Sequence, residues 1–148
     1  MLIGREKEAA FLEEAVEREE SQLLAVYGRR RVGKTYLIRE TLKDRFTFQH
    51  AGIYKGTRKE QLNAFYAALR ESGLQGDFQE PENWFEAFQL LKQLIQQSTR
   101  RKKILFIDEL PDLLFFKSLP VLRGNVFFDN NTVFYSMPDI LHRCIKIN

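Results

Sequence analysis

Three observations in the 148-residue sequence predict an α/β fold with a mainly parallel sheet covered on both faces. Two short apolar runs, Gln22-Leu-Leu-Ala-Val-Tyr27 and Ile104-Leu-Phe-Ile107, lack strict alternation, the mark of strands buried on both sides. Segments at helical spacing lie between them. A glycine-containing turn joins the first run directly to a helix.

The elements follow in order. Residues 5–20 carry seven glutamates, with Phe11, Leu12, Ala15 and Val16 on one helical stripe. Two readings of the acidic side stand open, a docking surface and a solvated helix face. The strand 22–27 stops at Gly28, and residues 34–43 form a helix with Leu37, Ile38, Thr41 and Leu42 on one face. Phe46-Thr-Phe-Gln-His50 is a second strand. Residues 58–71 are helical through Leu62, Phe65, Tyr66 and Leu69. A polar break at 73–81 precedes a helix over 82–97, where Trp84, Phe85 and Phe88 read as core side chains. Arg100-Arg-Lys-Lys103 leads into the strand 104–107; it reads as a solvated connector or as a nucleic-acid contact.

Composition narrows the function classes. Apolar residues make up 44%, enough for a sizeable core, and Gly plus Pro is 12 residues, which argues against disorder. The single cysteine, Cys144, excludes a disulfide framework and fits a reducing, cytoplasmic setting. Charge at Arg5 interrupts any signal-peptide apolar region. No apolar run approaches the ~18–20 residues that would span a bilayer. A net charge of +3 is compatible with an anionic partner without naming one. His50 and His142 stand apart, with no Cys or His at metal-ligand spacing, and Cys144 has no evident base nearby.

Gly28-Arg-Arg-Arg-Val-Gly-Lys-Thr35 fits G-x-x-x-x-G-K-[ST] in the context that pattern needs, after a buried strand and at the start of a helix. Gly28 and Gly33 let the backbone curl so that its N–H groups converge, and the helix adds its positive end. Lys34 then reaches β- and γ-phosphates, and Thr35 offers a hydroxyl to Mg²⁺. Val32 lies in the same cradle. Arg29, Arg30 and Arg31 either touch phosphate or a partner, or point to water and raise the local potential. Ile104-Leu-Phe-Ile-Asp108-Glu109 is the second constellation. It places two carboxylates at the C-terminal edge of a parallel sheet, where ligands of such sheets bind. Asp108 suits the metal and Glu109 the attacking water, as general base.

Leu2-Ile-Gly-Arg-Glu6, Val26-Tyr-Gly-Arg-Arg-Arg-Val-Gly-Lys-Thr35 and Ile107-Asp-Glu-Leu-Pro111 together resemble the archaeal-type ATP-binding proteins, P-loop ATPases of the AAA+/STAND group. The resemblance covers residues 1 to about 114. It implies a P-loop three-layer sandwich with a fourth strand inserted between the first and third, and ATP with Mg²⁺ as ligands. It also sets residues 3–6 near the adenine.

Such proteins continue into a fourth strand with a polar sensor residue, a fifth strand and a helical lid, none recognisable after Leu114. Residues 111–148 contain no Glu, Gln or Ala, against 14 Glu in the first 110. The expectation is an incomplete sheet, with a partial ATPase domain over 1–114 and a divergent tail over 115–148. In that tail, residues 126–128 and 133–135 are placed to form a hairpin around a polar turn. Alternatively, the tail is no continuation of the domain. A central strand is missing unless residues 126–128 replace it, in which case Asn130 or Asn131 would stand where the sensor does. With no sensor, lid or arginine finger assignable, ATP binding is expected ahead of hydrolysis. The competing functions are a small P-loop kinase and a nucleotide-dependent protein or DNA interaction module.

Overall fold

The computed structural model describes residues 3–19, 22–28, 31–108, 131–137 and 144–147. The chain runs α1 (Glu6–Glu17), β1 (Gln22–Gly28), α2 (Lys34–Leu42), a single 3-10 turn (Lys43–Arg45), β2 (Phe46–Ala51), α3 (Arg58–Glu71), α4 (Trp84–Gln97), β3 (Lys103–Asp108), β4 (Asn131–Met137) and β5 (Cys144–Ile147). The five strands form one sheet in the order β2-β3-β4-β1-β5, and every pairing is parallel.

The period-2 geometry of β3 divides the core. Leu105 and Ile107 face one way, into a cluster with Phe48, Phe65 and Leu69 and with Trp84, Phe88 and Leu91 of α4. Ile104 and Phe106 face the other way, into a cluster with Leu12 and Val16 of α1, Leu24 and Val26 of β1, and Leu37, Ile38 and Leu42 of α2. Helices therefore cover both faces, and the result is the expected three-layer α/β sandwich. A strand with two buried faces cannot alternate apolar with polar, which is why 104–107 reads as a continuous apolar run.

Local chemistry sets the helix starts. Thr57 caps α3 in a reciprocal box: its hydroxyl accepts from Glu60 N at 3.2 Å, and Glu60 Oε2 accepts from Thr57 N at 2.6 Å. Asn83 caps α4 by accepting from Glu86 N at 3.0 Å, so that helix opens at Trp84 and not at residue 82. Arg70 ties the turn after α3, donating to the carbonyls of Leu74 and Gly76 at 3.2 and 2.8 Å.

Two expectations are corrected. The arm 133–135 does not belong to a hairpin. Thr132, Val133, Phe134 and Tyr135 pair parallel with β1 on one side and β3 on the other, which leaves no free edge for residues 126–128. Residues 126–128 lie outside the described residues, and the position between the first and third strands is taken by Asn131–Met137. Phe85 is not core: it is 61% exposed, while Trp84 and Phe88 beside it are buried.

Candidate functional site

Parallel strands bring all their C-terminal ends to one edge of the sheet. β1 ends there at Gly28 and β3 at Asp108. Between β1 and α2, two of the described residues are left-handed, Arg31 at φ 62 and Gly33 at φ 83. Gly33 is the N-cap of α2 and no side chain caps the helix from that position. The first turn carries no acid, so the orphan amides at the start of α2 meet no carboxylate from their own helix.

Lys34 and Thr35 open that helix. The Thr35 hydroxyl donates to Asp108 Oδ2 at 2.6 Å, joining the helix start to the end of β3. Asp108 is 7% exposed, and its main-chain carbonyl accepts from Gly52 N at 2.7 Å. A hydroxyl and a carboxylate set side by side are hard oxygen donors of the kind Mg²⁺ accepts. Among the described residues no group of three His, Cys, Asp or Glu could hold a metal by itself. Any cation here would complete its shell with water and ligand oxygens.

The N-terminal segment leans on the loop. Arg5 donates to Glu8 Oε1 at 3.0 Å and to the Val32 carbonyl at 3.4 Å. The guanidinium beside Glu8 holds that carboxyl below its ordinary range. Residues 3–6 are thereby attached to the loop that precedes α2, and Ile3 is 80% exposed.

Arg31 is exposed, and Arg29, Arg30 and Glu109 lie outside the described residues. Asn131 is ruled out as a sensor substitute. It pairs with Lys103 at the start of β3, five residues from the Asp108 level, roughly 16 Å along the strand. Asn130 lies outside the described residues. The position level with Asp108 on β4 is Ser136, which sequence reasoning missed. Its only signal was being polar near the end of an apolar run, and that means nothing until the strand order is known.

The basic run 100–103 sits at the opposite edge and is occupied structurally. Arg100 donates to the Asp44 carbonyl at 2.8 Å, Lys102 to the Arg18 carbonyl, and Arg101 pairs with Glu19 at 3.6 Å. The connector reading therefore holds for these residues. His50 is buried against Phe48 and Phe65, and its Nε2 has no partner among the described residues. His142 is outside the described residues.

Residues 2–127 match a family described as an ATPase domain predominantly from Archaea. An uncharacterized protein of Methanocaldococcus jannaschii, MJECL04, is 30% identical over 116 residues, 77% of this chain and 23% of that protein. The chain thus spans about a quarter of that relative's length. An uncharacterized ATP-binding protein of the same organism, MJ0423, is 42% identical over 45 residues, 30% of this chain and 76% of that protein. Among solved structures, a chain of Drosophila ORC bound to DNA superposes with TM-score 0.54 at 17% identity, over 90% of this chain and 75% of the other. A STAND protein with a tetratricopeptide repeat sensor from Pyrococcus horikoshii, PH0952, superposes with TM-score 0.55 at 16% identity, over 99% of this chain and 23% of the other. At such identities the two structures speak for the fold alone.

Proposed function

Because the chain belongs to the family of ATPase domains found predominantly in Archaea, we propose that it binds ATP together with Mg²⁺ at the sheet edge where α2 begins. The observation that carries this reading is the 2.6 Å contact between Thr35 and Asp108, since it joins the two constellations on which a nucleotide site of this kind depends. The backbone amides of 28–35 and the Lys34 ammonium hold the phosphates. Thr35 and Asp108 hold the cation, directly or through water. When bound, Mg²⁺ neutralises charge on the phosphate oxygens. Residues 3–6, fixed to the loop by Arg5, stand nearest the base of the nucleotide.

Hydrolysis is a second and weaker activity of this site. Glu109 directly follows Asp108 and is the group we assign to take the proton of an attacking water. An arginine finger supplied by a neighbouring subunit is worth ~10³–10⁵ in rate, so the isolated chain turns over slowly. A cytoplasmic location belongs to the same proposal and rests on the single cysteine. Among the described residues no helix is long and apolar enough to cross a membrane.

The test is a thermal melt with ATP, with and without Mg²⁺. A ligand bound only by the folded state raises the melting temperature, by about 2.7 kcal/mol of stabilisation at a hundredfold excess over Kd. A rise that is larger with Mg²⁺ supports the site. An unchanged melt at millimolar Mg-ATP removes it.

A further inference from the structure

The loop after β2 leaves the same sheet edge at Gly52, whose N–H donates to the Asp108 carbonyl. Residues 53–56 then form a tight turn closed by Gly56 N donating to the Ile53 carbonyl at 3.1 Å. Buried Gln61 of α3 grips the turn from below. Its Oε1 accepts from Ile53 N at 2.9 Å and its Nε2 donates to the Ile53 carbonyl at 2.6 Å. Gly56 fits because a Cβ there would stand 2.9 Å from Ile53 Cβ and 3.1 Å from Gln61 Nε2. The turn is thus clasped by Gln61, and its two central residues are Tyr54 and Lys55.

What this turn displays is not what stability would choose. Tyr54 is 68% exposed. Lys55 sits at φ 55, a left-handed position that suits glycine or asparagine. Its ammonium lies 5.4 Å from the centre of the Tyr54 ring. Arg58 and Lys59 follow at once, both exposed, in the first turn of α3. There the helix dipole disfavours positive charge. Among the described residues no carboxylate lies within ion-pair distance of Lys55, Arg58 or Lys59. The contrast with the opposite edge is direct: Arg18, Arg45 and Arg101 there are paired with Glu14, Glu17 and Glu19.

We propose that Tyr54, Lys55, Arg58 and Lys59 form a docking surface for a single nucleic-acid strand. An exposed aromatic ring offers a base a stacking platform, and the three cations meet the phosphates on either side of it. A strained lysine and two cations at the wrong end of a helix are features that a polyanion repays and a solvated loop does not. The surface does not require the nucleotide reading, and each fails separately.

The experiment is fluorescence anisotropy of a labelled oligothymidylate with the full chain, at two salt concentrations. The wild type binds, and affinity falls with salt. Charge reversal of all three cations (K55E, R58E, K59E) weakens binding more than tenfold and lowers the log–log salt slope by about 2, at ~0.7 per phosphate contact on a single strand. Tyr54→Ala weakens binding about 5- to 150-fold and leaves the slope unchanged. Lys55→Gly weakens binding while the melting temperature holds or rises, a pair of effects that a merely structural lysine would not give. Arg101→Glu, at the opposite edge, changes nothing. The Mg-ATP thermal response persists in every variant. No binding to the oligonucleotide near 50 mM salt, binding indifferent to Tyr54 and to charge reversal, or equal displacement by poly-glutamate would each overturn the proposal.

Discussion

Thr35 and Asp108 lie 73 positions apart in sequence and meet through a 2.6 Å hydrogen bond at the sheet edge. The contact exists because β3 runs parallel to β1 with β4 between them, so both strands deliver their ends to the same place. Its first consequence concerns the metal. Thr35→Ala removes the hydroxyl but leaves the loop amides and Lys34 in place. It should abolish the extra stabilisation that Mg²⁺ gives to ATP while leaving the response to ATP alone. Thr35→Ser should restore it. Melting curves in ATP with EDTA and in Mg-ATP check this, and a full Mg²⁺ effect in Thr35→Ala would remove Thr35 from the cation site.

Gln61 supports both backbone groups of Ile53 from a buried position. Gln61→Leu leaves the Ile53 N–H without its partner, while the Ile53 carbonyl keeps the bond from Gly56 N. The expected cost is about 1–3 kcal/mol for a group that water cannot reach. Urea denaturation should show a lower midpoint with an unchanged m-value. A midpoint equal to wild type would mean that the turn after β2 stands without this clasp.

Burial against Phe48 and Phe65 pushes the His50 imidazole down from 6.5 to about 4. The unfolded chain binds this proton more readily than the folded one. The neutral imidazole therefore contributes its full stability above pH 6.5, and that contribution is lost as pH falls toward 4. At ~1.4 kcal/mol per pH unit the loss approaches about 3 kcal/mol. His50→Phe should flatten stability between pH 6.5 and 4 compared with wild type. Parallel pH profiles for the two proteins would show that His50 does not carry this titration.

The Thr57 cap is a simpler case. Thr57→Ala removes the acceptor for Glu60 N and half of the capping box. A loss of about 0.5–2 kcal/mol is expected from chemical denaturation. Thr57→Ser should recover most of it.

The site was legible in sequence where local pattern fixes local geometry. Gly33 with Lys34 and Thr35 announced a curled loop and a helix start, and the apolar run before Asp108 announced a buried strand end. Helix starts were nearly legible: Asn83 is a good cap, but 82–97 has no break in periodicity to reveal it. Strand pairing was not legible. Nothing in Asn131-Thr-Val-Phe-Tyr-Ser-Met137 states that its neighbours are β1 and β3, because register depends on partners far away in the chain. Local pattern favours a hairpin there, and long-range parallel pairing overrides it. The candidate Asn131 rested on residues 126–128 filling the place between the first and third strands; Asn131–Met137 fills it, and the level of a residue along a strand is known only once its neighbours are. Phe85 failed for a different reason. Apolar identity does not by itself give the helix face, and Trp84 and Phe88 already fill the inward one.

Isothermal titration of Mg-ATP into the wild type and into Lys34→Ala tests nucleotide binding most directly. Saturable binding of one nucleotide per chain, lost on removal of the lysine ammonium while the variant melts as the wild type does, is the predicted result. No binding by the folded wild type, or equal binding by Lys34→Ala, would contradict it.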